Sequence, residues 1–485
     1  MSDFLRSKAA WYLLAAVFIV ASLFVLNVRT LIPPDEGRYA EMAREMLLSG
    51  DWVTTRLNGI KYFEKPPLHT WMSALSFAVF GIGDWQARLW NGVSGLFGVA
   101  MVGYTGWRVY GGRVGLYAAM VLASMVFWAG ASQFNSLDLG VAVTMGLSLC
   151  ALLIAQQPGV SDATQRRWML VCWAGMGLSL LAKGLIGIVL PGAVLVLYSL
   201  ISGDRGIWRR LHLGLGLPVF LLVALPWFLL VAVRNPEQPA FFFIHEHWDR
   251  FFLKEHHREG PWYYFLVLMA PATLPWLPMI PPSLMAARRP QPGRFQSGTM
   301  LLVWIGFILL FFSVSSSKLP GYMLPVFPAL ALLIGRHLEL KGWRTVTVLM
   351  LAIAGWVLTQ VGMAATEQYG REQSGVVLAK VLRDKLAPDT PVYAVGTYEQ
   401  SMTFYMEHKV ITVAYTDELA FGLQQQPELG IPTLEEFTTR WRKRAAQRGP
   451  QYAIMRPAMY SELQKRQLPM KVIGSSERVV VVSGL

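Results

Sequence analysis

The sequence predicts a polytopic α-helical membrane protein of about 11–13 spans with an outward-facing α/β domain at its C-terminal end. Three observations carry this reading. Apolar runs of roughly 17–23 residues recur through the first three quarters of the chain, long enough for helices that cross a bilayer. Only 15% of the 485 residues are charged and 54% are hydrophobic, whereas a soluble protein carries roughly a quarter charged residues. Beyond about residue 365 the pattern changes to short β-branched runs alternating with amphipathic ones, the signature of a small α/β domain.

The spans are expected in order at Trp11–Val28, Leu89–Val109, Gly115–Ala131, Leu137–Ala155, Trp168–Leu181, Leu185–Ile201, Leu211–Val233, Trp262–Ile280, Met300–Ser313, Gly321–Leu338 and Val346–Val361. The first run has Arg6 and Lys8 before it. It is long for a signal peptide and no small-residue cleavage site follows, so it reads as a retained span. Basic residues mark every second loop: Arg108 and Arg113, Arg166 and Arg167, Arg205 to Arg210, Arg288 to Arg294, and Arg336 to Arg344. The positive-inside rule makes these loops cytoplasmic. It also accounts for the net charge of +13 without nucleic acid as a partner. Pro66–Gly83 is apolar and nearly long enough to span. A crossing there would put the basic loops outside, so it reads as a helix on or dipping into the outer face. The domains are then 1–365, with a first outer loop 29–88 carrying interfacial helices, and 366–485.

In the tail, "TPVYAVG", "KVITVA", "QYAIMR", "MKVIGSS" and "RVVVVS" read as strands, and "YEQSMTFYMEH" and "TLEEFTTRWRKRAAQRG" as helices. The tail has no glycine-rich fingerprint or phosphate-binding loop, so no nucleotide cofactor is expected. The two cysteines, Cys150 and Cys172, lie in apolar segments, which excludes a disulfide framework and an all-cysteine metal site.

Polar residues of unusual type gather on the outer face. In "PPDEGRYAE" (Pro33–Glu41), two prolines stop the first span and place Asp35 and Glu36 at the start of a new helix, where its dipole favours acids. Asp35, Arg38, Tyr39, Met42 and Met46 share one face of that helix. It reads either as an interfacial helix on the membrane or as part of a site. "KYFEKPPLHTW" places Tyr62, Glu64 and Lys65 before Pro66, as a solvated interfacial ion pair or as ligand-binding groups. Asp138 opens a span, as a helix N-terminal acid or a functional one. Lys183 lies between two spans joined by almost no loop. A charge at that depth is a functional candidate unless it snorkels to the interface. The loop Arg234–Pro261 holds four of the eight histidines, His245, His247, His256 and His257. Such residues suit zinc, though "HEH" and "EHH" fit no zinc-finger spacing. Lys318 and Tyr322 lie at the same outer mouth. A transporter reading predicts inverted repeats and broken helices at mid-bilayer; the sequence shows neither. A scaffold gives no reason for acids, lysines and histidines to converge on one face.

Taken together, "PDEGRYAEMAREM", "EKPPL", the Asp138 segment, "LLAKG", the histidine loop and "KLPGYMLPVFPALALLIG" resemble the bacterial aminoarabinose transferases that modify lipid A. They also resemble the wider class of polyprenyl-phosphate-dependent membrane glycosyltransferases, which includes protein O-mannosyltransferases. The resemblance covers the whole chain. It implies a type C glycosyltransferase-like fold in the bacterial inner membrane, with the site and the C-terminal domain on the periplasmic side. It implies a sugar donor on undecaprenyl phosphate, a lipid A phosphate or another glycan or protein acceptor, and a monomer. It also implies catalytic roles for Asp35 and Asp138, and a divalent metal, zinc among the candidates, at Glu64 with His256 and His257. Donor phosphate and substrate contacts are expected from Lys65, Tyr62, Arg38, Tyr39, Lys183, Arg258, Lys318 and Tyr322.

Overall fold

The computed structural model describes residues 7–244, 260–288, 295–415 and 417–484. The chain forms two compact units. The first comprises Met1–Leu26, Glu64–His69 and Arg88–Met363; the second comprises Asn27–Phe63, Thr70–Ala87 and Ala364–Leu485.

The first unit is helical. Its chain runs through α1 (Lys8–Phe24), α4 (Asp84–Tyr110), α5 (Gly112–Ser124), α6 (Val126–Ala131), α7 (Leu137–Ala155), α8 (Asp162–Lys183), α9 (Ile186–Ser202) and α10 (Leu213–Arg234). It continues through α11 (Tyr264–Ala272), α12 (Ile280–Ala287), α13 (Ser297–Val314), α14 (Phe327–Leu340) and α15 (Thr345–Ala365). Each of the eleven stretches expected to span falls on helix. By length and apolarity alone, six helices among the described residues suffice to cross a membrane, or seven with one bent pair. The rest are shorter, more polar or broken. The expected span Gly115–Ala131 breaks at Met125, whose backbone is extended. The expected span Trp262–Ile280 is two helical segments bent by 117°. Pro271, Pro275 and Pro278 remove backbone donors through that corner. The two breaks complete each other: Val126 N–H donates to the Leu274 carbonyl at 3.2 Å, and Trp276 Nε1 donates to Ser124 Oγ at 2.8 Å. Irregular backbone inside a membrane protein survives where neighbouring protein satisfies it in this way.

Helix α7 sits at the centre, with 89% of its apolar window buried. Its backbone approaches α8 closely because of Gly175: a Cβ there would lie 2.9 Å from the Ser148 backbone nitrogen. Small residues permit such close helix packing in lipid, where apolar side chains gain little by leaving the acyl chains. By contrast α1, α10 and α15 carry outward rows of large apolar side chains such as Phe24, Leu222 and Val233. Only 11–22% of their apolar windows is buried. Apolar surface on this scale matches lipid as its solvent. The protein is a polytopic α-helical membrane protein.

The second unit combines the C-terminal sheet with the first outer loop. The tail strands are β3 (Val392–Val395), β4 (Ile411–Val413), β5 (Gly430–Ile431), β6 (Tyr452–Met455), β7 (Lys471–Ser475) and β8 (Val480–Ser483), in spatial order β5-β4-β3-β6-β8-β7. The four at the β5 end are parallel, and β8 and β7 are antiparallel additions. One face buries Val395, Val413, Met455 and Val482 against Phe437 and Trp441. The expected strands and the two expected helices are all present; β5 is an additional strand.

The loop part begins with α2 (Asp35–Ser49) and a hairpin of β1 (Arg56–Leu57) and β2 (Ile60–Lys61). The hairpin turns on Asn58-Gly59, both at positive φ, the dipeptide that suits the tightest antiparallel turn. Asn58 also clamps the tail: its Nδ2 donates to the Val410 carbonyl at 2.7 Å, and its Oδ1 accepts from Val410 N–H at 2.8 Å. Helix α2 is packed inside this unit and does not present one solvated face. Glu36, Gly37 and every residue from Tyr39 to Met46 are buried. Gly37 lies so close to Ser401 that a Cβ would stand 2.6 Å from the Ser401 backbone nitrogen. Leu31, Ala40, Ala43 and Met46 share a core with Phe77 and Phe404. The charged residues that suggested a solvated face are paired instead, as the bidentate Arg44–Glu41 contact at 2.7 Å illustrates. Helix α3 (Leu68–Phe80) has 13 residues. At about 1.5 Å per residue it falls short of the ~30 Å hydrocarbon core, so it does not cross by itself.

Candidate active site

The first unit assembles three expected residues around one ion pair. Asp138 stands in the first turn of α7, where the helix dipole favours its charge. The turn before it is fixed by Asn91 Nδ2, which donates to the Ser136 carbonyl at 2.8 Å. His69 Nε2 and Asn135 Oδ1, 2.8 Å apart, hold it from the other side. Lys183 is the last residue of α8, and its Nζ pairs with Asp138 Oδ1. The same ammonium lies 4.6 Å from the centroid of the Tyr322 ring, a cation–π arrangement. Tyr322 belongs to the 3₁₀ turn Pro320–Val326 and packs against Phe312 with ring centroids 4.9 Å apart. Asp138 and Lys183 are partly exposed, at 20% and 14%, so the pair is reachable without being fully solvated. Gly321 is what admits Tyr322 to this position: a Cβ there would lie 1.9 Å from Asp138 Oδ2.

Two further lysines belong to this unit. Lys65 Nζ lies 3.7 Å from Glu64 Oε2, and both side chains are mostly buried. Lys318 is buried and turns its Nζ onto the Ser315 carbonyl at 2.6 Å.

In the second unit the adjacent acids Asp35 and Glu36 separate into different roles. Glu36 is fully buried; Arg29 donates to it at 2.7 Å and the Ile32 N–H at 2.9 Å. It anchors the start of α2. Asp35 is 41% exposed and pairs on one side with Arg38 at 3.2 Å. Arg38 in turn binds Glu418 at 2.7 Å. Burial disfavours the Arg38 guanidinium, but Tyr62, Glu418, Tyr39 and Asp35 around it outweigh that and raise its pKa well above the ordinary value. Arg38 is therefore a fixed cation that orients Asp35 while leaving the rest of that carboxylate accessible. Tyr39 and Tyr62 are buried beside it.

His256, His257 and Arg258 lie outside the described residues. Among the described residues no group of three His, Cys, Asp or Glu side chains is placed to hold a metal ion. Glu64 offers one carboxylate, with the Lys65 ammonium against it. Of the three expected metal ligands only Glu64 lies among the described residues. Glu418, Gly321, Asn135 and His69 were not singled out by the sequence. Glu418 reaches Arg38 only through tertiary folding, and a single glycine gives no sign of what its missing Cβ avoids.

Residues 378–484 match the family described as "Aminoarabinose transferase C-terminal domain", and residues 64–229 match "Dolichyl-phosphate-mannose-protein mannosyltransferase". An undecaprenyl phosphate-alpha-4-amino-4-deoxy-L-arabinose arabinosyl transferase of Pseudomonas paraeruginosa is 36% identical over 366 residues, covering 74% of this chain and 64% of that protein. The protein of the same description from Pseudomonas aeruginosa (strain UCBPP-PA14) is 37% identical over 337 residues, covering 68% of this chain and 60% of that one. The chain therefore spans less than two thirds of the length of these curated relatives. The crystal structure of ArnT from Cupriavidus metallidurans bound to undecaprenyl phosphate superposes with a TM-score of 0.92 at 37% identity, over 99% of both chains. The archaeal oligosaccharyltransferase AglB from Archaeoglobus fulgidus, at 12% identity and a TM-score of 0.57 over 94% of this chain and 70% of that one, shares the fold.

Proposed function

Because the chain belongs to the aminoarabinose transferase family, we propose that it is a glycosyltransferase taking its sugar from an undecaprenyl-phosphate carrier. The sugar is 4-amino-4-deoxy-L-arabinose and the acceptor is a phosphate of lipid A. The enzyme works as a monomer in the inner membrane, with its site on the periplasmic side. The Asp138–Lys183–Tyr322 cluster is the observation that supports the reading: a partly exposed cation held by an acid and an aromatic face.

The reaction breaks the bond between the anomeric carbon and the carrier phosphate oxygen, which leaves with both electrons. An acceptor phosphate oxygen forms the new bond on the opposite face, so configuration inverts. The transition state has oxocarbenium character. The leaving group is already a phosphate and needs cations rather than a strong acid, which Lys183 and Lys65 supply by charge-assisted hydrogen bonds. An anionic acceptor needs no base. Asp35 therefore serves to pair with the sugar's ammonium or to stabilise the developing positive charge, held in place by Arg38. A hydroxyl acceptor is the second reading, favoured by the mannosyltransferase match over 64–229. Asp35 would then be the general base.

The test is transfer by the purified protein in lipid bilayers, given the lipid-linked donor and lipid A, with product configuration read by NMR. Inverted product on a lipid A phosphate supports the proposal; product on a hydroxyl replaces it with the second reading. Asp35→Asn should fold and bind donor but transfer at least 100-fold more slowly. Wild-type turnover in that variant removes Asp35 from the mechanism.

A further inference from the structure

The parallel strands of the second unit run from β3 to β4 to β5 in one direction, and β6 then joins on the opposite side of β3. The strand order reverses between β3 and β6. In open α/β sheets, ligands bind outside the carboxyl ends of the strands at such a point. A cavity of about 330 Å³ opens there. Its walls come from Pro34, directly before Asp35, and from the segments that leave three strand ends: Thr397 and Glu399 after β3, Tyr415 and Asp417 after β4, and Arg456 directly after β6. Arg478, from the turn between β7 and β8, closes the rim. Gly396 makes the exit from β3 possible, with φ at +64° and its N–H donating to the Val413 carbonyl at 2.8 Å.

We propose that this cavity is a second binding site, distinct from the Asp138–Lys183 cluster, and that it takes a phosphorylated sugar of monosaccharide size. The volume lies at the small end of the ~300–1,000 Å³ range of ligand sites, and the lining is charged and hydroxylated rather than apolar. The two arginines differ in a useful way. Arg478 is pinned: it donates to Glu399 at 3.0 Å and to Gln373 Oε1 at 3.2 Å. Glu399 is itself held by Thr397 Oγ1 at 3.3 Å, and burial pushes its carboxyl pKa up. Arg456 is exposed, and its guanidinium makes no hydrogen bond to a described residue. A rigid guanidinium beside an open fork suits a phosphate, which accepts several planar N–H donors at once. Asp417 lines the same cavity and offers a carboxylate to hydroxyl or amino groups of the sugar ring. A soluble sugar phosphate and the head group of a phosphorylated membrane glycolipid present the same chemistry.

The experiment uses the full chain in lipid nanodiscs, with glucosamine 1-phosphate as the probe and binding measured by titration calorimetry. Arg456→Glu should fold normally, because that side chain is exposed and makes no hydrogen bond to a described residue, and should weaken binding at least tenfold, with Arg456→Lys intermediate. Displacement of the probe by a phosphorylated glycolipid in the same nanodisc assigns the site to a membrane head group; no displacement assigns it to the soluble source. Both results keep the site. Equal affinity in Arg456→Glu and wild type overturns the proposal. So does binding that Lys65→Ala abolishes and Arg456→Glu leaves intact.

Discussion

Replacing Gly321 by alanine tests whether the Asp138–Lys183–Tyr322 geometry matters. The new methyl group would stand 1.9 Å from Asp138 Oδ2 and 2.8 Å from Asp138 Cβ, where ordinary contact begins near 3.4 Å. Rotating the carboxylate relieves the first overlap and leaves the second, so Asp138 must turn away and the Pro320–Val326 turn must also shift. Lys183 then loses its carboxylate, and Tyr322 moves from under the ammonium. A hydrogen bond to a charged group contributes about 1.5–3 kcal/mol. Expressed in the transition state, that loss slows transfer by about 10- to 100-fold. The assay is single-turnover transfer by purified protein, with a thermal melt to verify folding. The double variant Gly321→Ala with Asp138→Ala separates a local effect from a general one, because residues acting through one contact are non-additive. Adding Gly321→Ala to Asp138→Ala should cost little further. A wild-type rate in Gly321→Ala, or fully additive losses, would refute the reasoning.

Other predictions concern the second unit. Asn58→Ala removes both hydrogen bonds to Val410 from a residue at positive φ. It should destabilise that unit by about 2–4 kcal/mol, read as a lowered melting temperature and faster proteolysis of the tail. Burial, with the Glu41 charge beside it, raises Glu45 to about 7 from its ordinary 4.5. The folded state thus binds more protons than the unfolded chain between these values. The contribution of Glu45 to stability should be largest below about pH 4.5, fall as pH rises to 7, and then level off. Glu45→Gln should flatten that slope in melts across the range, and an unchanged slope assigns it elsewhere. Glu418→Gln removes one anchor of Arg38 and should slow transfer about 5- to 20-fold while leaving the melting temperature within a few degrees.

Much of the fold was legible because its signals are periodic. Each expected span falls on helix, and strands such as "RVVVVS" carry enough β-branched residues to declare themselves. What escaped depends on distant partners. The face of Asp35–Ser49 looked amphipathic and interfacial because charges such as Glu41 and Arg44 normally face water. No local pattern says that they neutralise each other inside a core shared with Phe404. The break at Met125 carries no proline or glycine; it is stabilised by Leu274, about 150 residues away. The site divides in the same way. Asp138 and Lys183 could be singled out as charges at span ends, but their pairing comes from the close packing of α7 and α8. Asp35 and Glu36 are identical in local signal, and only burial distinguishes the anchor from the accessible acid. The hairpin Asn58-Gly59 was legible in principle, since that dipeptide between the apolar Leu57 and Ile60 is a strong turn signal.

The most direct measurement of the central claim is mass spectrometry of lipid A from cells with and without this protein, under conditions in which the lipid-linked donor is made. Lipid A carrying a 4-amino-4-deoxy-L-arabinose residue on phosphate should appear only with the protein. The modified species should be absent when Asp35→Asn replaces the wild type. Unchanged lipid A mass, together with loss of a protein-linked or other glycan, would contradict the account and move the acceptor from phosphate to hydroxyl.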